Sequence, residues 1–227
     1  MAAGKGVRLR PLTERWAKPV LPIDGRPVIA TLLREIGSAG IEDVTVVTGH
    51  LAEQVEELVG DGTAFGVPVR IVRQPEPVGS ADAVRRAVDA GVRPPLLVTA
   101  ADTVFAQGDL ASVVERWERS SAAGAIGVRR GRRPHQTPVH VRDGHVVEFV
   151  GESSGEHSAA PLWFLGGDIA GALADVPGPP FELAHAVQDA IAAGKEILAF
   201  EMRPTRDLTQ PADVVAHNFP YLSREDL

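Results

Sequence analysis

Apolar and polar residues follow two different periods along the first part of the chain. Residues 28–39 place apolar side chains at helical spacing and stop at Gly40, and the β-branched run at 41–48 ends at Gly49. These patterns predict a helix followed by a buried strand. The same alternation predicts a helix at 52–59, a strand at 67–73, a helix at 81–90 and a strand at 95–100. Repeated strand–helix units are typical of a parallel sheet with helices on both faces.

The pattern changes to short strands from Gly124 onward. The predicted strands lie at 125–129, 137–141, 146–150 and 161–165, with a turn at 142–145. A helix at 183–193 and a strand at 197–202 follow. We therefore expect an α/β fold with a mixed, mainly parallel sheet and a β-rich insertion in its second half.

Length and composition limit the class of protein. The chain has 227 residues, of which 44% are apolar, and this suffices for the core of one α/β domain. Because no low-complexity tract marks a linker, we expect a single domain over 1–227. The chain has neither a run of about 20 apolar residues nor the apolar segment of a signal peptide. We expect a cytoplasmic protein that has no membrane partner.

The charge and the absence of cysteine exclude further classes. A net charge of −7 argues against a nucleic-acid partner. A local basic cluster at 129–133 is either a solvated surface or a phosphate-binding patch. Since the chain has no cysteine, any metal must be bound by oxygen or histidine ligands.

The first segment whose residues indicate ligand binding or catalysis is the glycine-rich stretch at 4–19. Gly4 and Gly6 allow a tight turn whose N–H groups can approach phosphate oxygens, and Arg8 and Lys18 add positive charge. The stretch is neither a Walker A loop nor a dinucleotide fingerprint. A loop of this kind normally follows a strand, yet few residues precede Gly4. Either the first strand is cut short or it begins upstream of the given start, and we expect the latter.

The spacing of the whole stretch resembles the signature of the sugar-1-phosphate nucleotidyltransferase family, Gly-x-Gly-Thr/Ser-Arg-Leu-x-Pro-Leu-Thr-x-x-x-Pro-Lys-Pro. The positions that match in register are Gly4, Gly6, Arg8, Leu9, Pro11, Leu12, Thr13, Lys18 and Pro19. Weaker similarity continues at 21–27, 46–50, 74–81, 99–102, 182–185 and 207–211. The resemblance implies a Rossmann-like nucleotidyltransferase fold with helices on both faces of the sheet. It also implies a nucleotide-binding half at 1–123 and an acceptor and metal-completing half at 124–227.

The reaction implied by the resemblance joins a nucleoside triphosphate and a phosphorylated small-molecule acceptor and releases pyrophosphate. By the family pattern, Arg8 and the backbone from Ala2 to Gly6, including Ala3 and Gly4, hold the triphosphate. Lys18 neutralises the α-phosphate region, and Asp102 and Asp207 bind the cofactor Mg²⁺. Asp207 alternatively belongs to the N-terminal region of a helix at 212–217. The implied catalytic residues are Arg8, Lys18 and Asp102.

Three residues bear on which base is selected. The resemblance places Gln74 at the edge of a pyrimidine ring, where its amide offers a donor and an acceptor. Gly79 lets the backbone approach the base, and Ser80 follows it in the nucleotide wall. UTP or dTTP is favoured, with CTP as the alternative.

The acceptor side departs from the family pattern. The segment from Gly151 to Ser153 lacks the basic residue that contacts the acceptor phosphate in the family, and a segment ending in Trp163 replaces Asn-x-Gly-Ile-Tyr. Arg133, Glu152 and Trp163 are therefore candidate acceptor residues. The alternatives are a cytidylyltransferase acting on a non-sugar phosphate or phosphonate, and a regulatory homologue that binds a nucleotide without turnover. The sequence leaves a homo-oligomer open.

Overall fold

A computed structural model describes residues 1–131, 136–149 and 156–221. The chain forms two compact units, and neither is continuous in sequence. Unit 1 comprises Met1, Val78–Ala100 and Ser112–Pro204, and unit 2 comprises Ala2–Pro77, Ala101–Ala111 and Thr205–Leu227. The predicted division between residues 123 and 124 lies inside unit 1, and a single-domain organisation stays a prediction.

The described residues contain seven α-helices and twelve strands. The helices are α1 (Val28–Ser38), α2 (Ala52–Val59), α3 (Ser80–Asp89), α4 (Asp109–Glu118), α5 (Gly167–Gly171), α6 (Leu183–Ala192) and α7 (Pro211–Asn218). The strands are β1 (Pro22–Ile23), β2 (Arg26–Pro27), β3 (Val44–Thr48), β4 (Val69–Arg73), β5 (Leu96–Thr99), β6 (Thr103–Val104), β7 (Gly124–Arg130), β8 (Pro138–Arg142), β9 (His145–Glu148), β10 (His157–Leu165), β11 (Ile197–Glu201) and β12 (Arg206–Asp207).

Unit 2 contains the glycine-rich stretch and the short sheets that hold it. Strands β3 and β4 pair in parallel, and Ala2 forms a parallel bridge to Thr48 at the end of β3. Strands β6 and β12 pair antiparallel, as do β1 and β2. A compact apolar cluster of Leu9, Leu21, Ile23, Val28, Val104 and Leu208 packs within the unit. Because Leu9 lies inside this cluster, burial of that side chain anchors the glycine-rich stretch.

Unit 1 is built on a six-stranded sheet with the order β5-β10-β7-β11-β9-β8. Strands β7 and β11 pair in parallel, whereas β10 runs antiparallel to β5, β7 and β8. Apolar residues of the sheet and of α3, α5 and α6 form its core. Elsewhere in the unit, the rings of Trp117 on α4 and Phe164 on β10 stack 5.1 Å apart.

The predicted α/β class and mixed sheets are confirmed, with some differences in detail. The helix at 52–59 has the predicted bounds, and the other predicted helices and strands are present with ends shifted by a few residues. Helix α4 was not predicted, and β10 begins at His157 rather than at residue 161. In the described six-stranded sheet, β7 and β11 pair in parallel and the other neighbouring strands pair antiparallel, so the expectation of a mainly parallel sheet is wrong there. No helix of the described ranges is long and apolar enough to cross a membrane.

Candidate active site

The glycine-rich loop in unit 2 is exposed at its tip and supported underneath. Gly6 has a φ of 59°, in the left-handed region that favours glycine, and precedes a short 3₁₀ turn at Val7–Leu9. Thr13 lies beneath it, 2% exposed, and its hydroxyl donates a 2.8 Å hydrogen bond to the Gly6 carbonyl. A Cβ on Gly6 would lie 2.9 Å from the Thr13 methyl carbon. The exposed face of the loop carries Gly4 and the side chain of Arg8.

Lys18 and Asp102 are brought together in the same unit. The Lys18 ammonium forms an ion pair with Oδ2 of Asp102, and the two side chains are 18% and 20% exposed. The Thr103 hydroxyl lies 3.4 Å from the other oxygen, Oδ1, of Asp102. Because this ion pair is largely buried, a further charge that binds beside it changes its interaction energy more than it would in open solvent.

Asp207 lies beside Asp102 across a short antiparallel ladder. It pairs with Thr103, and the Leu208 N–H donates to the Asp102 carbonyl at 3.3 Å. The Thr205 hydroxyl donates to the Asp207 carboxylate at 3.0 Å. Asp207 is on strand β12, and α7 begins only at Pro211, so Asp207 precedes that helix and is not part of it.

Asp102 and Asp207 are neighbours along the backbone ladder, and their carboxylates are the ligand type that Mg²⁺ prefers. Mg²⁺ usually takes one or two protein carboxylates and completes its shell with water and phosphate oxygens. No group of three or more His, Cys, Asp or Glu side chains that could hold a metal occurs among the described residues. The donor set therefore suits a hard cation that shares its ligands with a phosphorylated substrate.

Ala2, Ala3 and Gln74 lie around the end of strand β3. The Ala2 N–H donates to Val47 at 2.7 Å, and the Gln74 N–H donates to Thr48 at 2.7 Å. Ala2 and Ala3 are each 4% exposed and Gln74 is 2% exposed. The structure thus gathers these predicted nucleotide-binding residues at one end of β3, with Gln74 buried.

Gly79 and Ser80 belong to unit 1, where each meets the chain just before α6. Gly79 has a φ of 134°, and a Cβ there would lie 2.2 Å from the Phe181 carbonyl oxygen. The Ser80 hydroxyl donates to the Glu182 carboxylate at 2.5 Å and accepts from the Leu183 N–H at 2.9 Å. Close packing against residue 181 is therefore a sufficient reason for glycine at position 79, independent of any base.

The predicted acceptor residues are only partly described. Trp163 lies on β10 in unit 1, half-buried, and its indole N–H has no hydrogen-bond partner in the part of the chain that the structure describes. Arg133 and Glu152 lie outside the described residues. Arg129, from the same basic cluster, is buried at 2% exposure, whereas Arg130 is exposed and pairs with Glu201.

The sequence leaves His50, which follows strand β3, as a possible pocket residue and indicates no role for Gln54, yet both contact the glycine-rich stretch. His50 Nε2 lies 2.8 Å from the Thr13 carbonyl oxygen, and the Gln54 side chain bonds to the backbone of Arg15 and Ala17 at 2.8 Å each. His50 lies before α2 and Gln54 lies in its first turn, so helical spacing does not relate the two side chains.

Comparisons with known proteins identify the family. The nucleotidyl transferase family model matches residues 1–141. A glucose-1-phosphate thymidylyltransferase of Streptomyces griseus is 42% identical over 84 residues, which cover 37% of this chain and 24% of that protein. A CMP-5'-(3-aminopropyl)phosphonate synthase of Streptomyces rubellomurinus is 33% identical over 158 residues, which cover 66% of this chain and 24% of that protein.

The fold is also found among solved structures. The UTP-bound UGPase of Acinetobacter baumannii superimposes with a TM-score of 0.79 at 22% identity, covering 97% of this chain and 90% of that one. The match thus spans about a quarter of the length of the two curated relatives and nearly all of the solved structure. With a family model that matches more than half of its residues, the chain belongs to the nucleotidyl transferase family.

Proposed function

We propose that this protein is a Mg²⁺-dependent nucleotidyltransferase that transfers a nucleoside monophosphate to a phosphorylated small-molecule acceptor. The observation that carries the proposal is the ion pair of Lys18 with Asp102, next to Asp207 and in the same unit as the glycine-rich loop. Phosphoryl chemistry between two anions requires cations and a metal-binding carboxylate at one place. Unit 2 supports the proposal with the cations Arg8 and Lys18 and the carboxylates Asp102 and Asp207.

The proposed reaction is an in-line displacement at the α-phosphorus. An oxygen of the acceptor phosphate forms a new bond to that phosphorus, the bond from the α-phosphorus to its β-bridging oxygen breaks, and pyrophosphate leaves with the bonding electrons. Arg8, exposed on the loop, holds the β- and γ-phosphates. Lys18 neutralises charge at the α-phosphate as the two anions approach each other.

Asp102 and Asp207 are the proposed metal ligands. When bound, Mg²⁺ would neutralise phosphate charge during the displacement. The protein's own contribution is to hold Asp207, on strand β12, near Asp102, the residue directly before strand β6. Bonds from Thr103 and Thr205 orient them.

UTP or dTTP is the proposed nucleotide. Gln74 lies at the end of β3 beside Thr48, which also pairs with Ala2, so a base held there would lie near the glycine-rich stretch. Relatives named thymidylyltransferase and uridylyltransferase support a pyrimidine. The acceptor of this main proposal is a sugar-1-phosphate or a similar phosphorylated molecule.

A cytidylyltransferase acting on a non-sugar phosphate or phosphonate is the second candidate. It is favoured by the 33% identity to the CMP-5'-(3-aminopropyl)phosphonate synthase and by the acceptor segment that ends in Trp163.

The test measures pyrophosphate release from UTP, dTTP, CTP, ATP and GTP with Mg²⁺ and a panel of sugar-1-phosphates, other phosphomonoesters and phosphonates. Release with a pyrimidine triphosphate and one acceptor class, lost in Asp102→Asn and Asp207→Asn, supports the proposal. Release that persists in both variants contradicts the metal assignment. Tight nucleotide binding without release from any acceptor indicates the regulatory homologue instead.

A further inference from the structure

His50 holds the glycine-rich loop at two points that are far apart in sequence. Its backbone N–H donates to the Ala3 carbonyl at 3.0 Å, directly before Gly4. Its Nε2 lies 2.8 Å from the Thr13 carbonyl oxygen, and because a carbonyl can only accept, Nε2 is the donor. One residue therefore fixes the entrance of the loop and also the residue that lies beneath Gly6.

Thr13 connects His50 to the turn at Gly6. Its hydroxyl donates to the Gly6 carbonyl at 2.8 Å, and that carbonyl also accepts from the Leu9 N–H at 2.8 Å. Thr13 is 2% exposed, so water cannot readily replace a lost bond there. The left-handed turn at Gly6 thus depends on the position of Thr13.

Gln54 supports the far end of the stretch. Its Oε1 accepts from the Ala17 N–H and its Nε2 donates to the Arg15 carbonyl, each at 2.8 Å. Ala17 is 1% exposed and directly precedes Lys18. A side-chain amide with both groups bonded to backbone has one orientation, which fixes the chain where Lys18 begins.

We infer that His50 and Gln54 are positioning residues that preorganise the triphosphate-binding loop before the nucleotide arrives. The inference rests on the proposed function, because it assigns their purpose to triphosphate binding. Neither residue belongs to the glycine-rich signature, yet together they bond to Ala3, Thr13, Arg15 and Ala17. A loop that is ordered in advance loses less conformational freedom on binding, which lowers the dissociation constant.

The variants distinguish the loss of a side-chain hydrogen bond from the loss of side-chain volume. His50→Leu removes the Nε2 donor, and His50→Gln returns an N–H donor of similar reach. Gln54→Leu removes both amide bonds at similar size. Glu57→Gln, an exposed change on the same helix, is the matched control.

The first measurement is calorimetric binding of UTP with Mg²⁺, together with KM and kcat on the acceptor that the wild type uses. Each Leu variant should raise the dissociation constant and KM about tenfold. The kcat of His50→Leu should stay within about threefold, because His50 supports the loop that binds the triphosphate, whereas Gln54→Leu should also lower kcat, because Gln54 fixes the chain where Lys18 begins. His50→Gln should recover most of the affinity, and Glu57→Gln should match the wild type. A His50→Gln variant as weak as His50→Leu would contradict the role of the donor.

The second measurement is amide hydrogen exchange of the nucleotide-free protein. Residues 4–18 should exchange faster in both Leu variants, while the strands of unit 1 keep their protection. Unchanged exchange at 4–18 together with unchanged UTP affinity would overturn the inference, as would a His50→Leu variant that does not fold. A wild type that binds no triphosphate would instead contradict the proposed function, and the exchange result would still report on the loop.

Discussion

The Lys18 ammonium rests on the Asp102 carboxylate, the same group that is proposed to bind the metal. Both side chains are about four-fifths buried, so the lysine neutralises a carboxylate that would otherwise be isolated. A cation that approaches Asp102 without a nucleotide meets this ammonium and is repelled by it. A triphosphate would offer Lys18 a second anionic partner and so make the carboxylate accessible to the metal.

A Lys18→Gln variant should therefore bind a divalent cation more tightly than the wild type when no nucleotide is present. Removing one positive charge beside the carboxylate should lower the dissociation constant of Mn²⁺, used in place of Mg²⁺, about threefold to tenfold. Electron paramagnetic resonance of free Mn²⁺ measures it. Asp102→Asn in the same titration should weaken binding, and weaker binding by Lys18→Gln would contradict the competition.

Arg8→Ala should mainly weaken binding of the triphosphate, whereas a change at Lys18 should mainly lower the rate of the displacement. Arg8 is exposed on the loop and is proposed to hold the β- and γ-phosphates, which leave together, so its loss should raise KM for the triphosphate roughly tenfold to a hundredfold with kcat little changed. Lys18→Ala should mainly lower kcat, because charge at the α-phosphorus changes during the displacement. Steady-state kinetics at saturating acceptor separates the two, and equal effects on KM alone would contradict the assigned roles.

Glu56 makes the stability of unit 2 depend on pH. Arg73 bonds to both of its carboxylate oxygens at 2.8 and 2.6 Å, and the buried Thr48 hydroxyl donates to it at 2.8 Å. Hydrogen bonding from Arg73 lowers the pKa of Glu56 below its ordinary value of 4.5, and Thr48 adds to this effect. The stabilisation is therefore fully present above pH 4.5 and is lost as the pH falls through the lowered value.

Glu56→Gln should accordingly lower the melting temperature by about 2–4 °C at neutral pH. The difference from the wild type should shrink as the pH falls below 4.5, since the wild-type carboxyl then becomes neutral as well. Calorimetry across this range measures both, with the exposed Glu57→Gln as the control. A difference that stays constant down to acid pH would show that the ion pair with Arg73 contributes little.

Gly79→Ala should destabilise the fold strongly. A Cβ at this position would lie 2.2 Å from the Phe181 carbonyl oxygen, and the φ of 134° is one that L side chains rarely adopt. Loss of roughly 3 kcal/mol or more is expected from the clash and the strain together. Gly91→Ala, with a φ of 100° and no atom within 4 Å of its Cβ, isolates the strain, and chemical denaturation of both variants measures the difference.

The local sequence pattern predicted the helices and strands better than it predicted the long-range contacts that hold the candidate site together. Helix α2 has its predicted bounds because its apolar residues Val55 and Val59 recur at helical spacing. Helix α4 carries the same signal in Leu110, Val113 and Trp117, and this spacing could have revealed it. The antiparallel neighbours of β10 could not be predicted, because strand pairing depends on the path of distant segments.

Among the residues of the candidate site, those in sequence motifs could be predicted, and those that act through long-range contacts could not. Lys18, Asp102 and Asp207 were predicted from the family resemblance, and the structure places Lys18 on Asp102 and Asp207 across the ladder. The bond from His50 to Thr13 joins positions 37 residues apart, which no local period encodes. Glycine at position 79 was attributed to the base, which stays a prediction, and a contact 102 positions downstream, at residue 181, also requires glycine there.

Selectivity for the base should depend on Gln74. Its amide can bond to the edge of uracil or thymine with one donor and one acceptor, and each unpaired buried partner costs about 1–3 kcal/mol. UTP or dTTP should therefore bind roughly tenfold to a hundredfold more tightly than ATP or GTP, as measured by calorimetry of all five triphosphates with Mg²⁺.

Because Gln74 is only 2% exposed, a local opening at the end of β3 must accompany binding. Gln74→Leu should reduce the selectivity to about threefold and leave the affinity for inorganic tripolyphosphate, which has no base, unchanged. Tightest binding of CTP would favour the cytidylyltransferase, and tightest binding of a purine triphosphate would refute the role of Gln74.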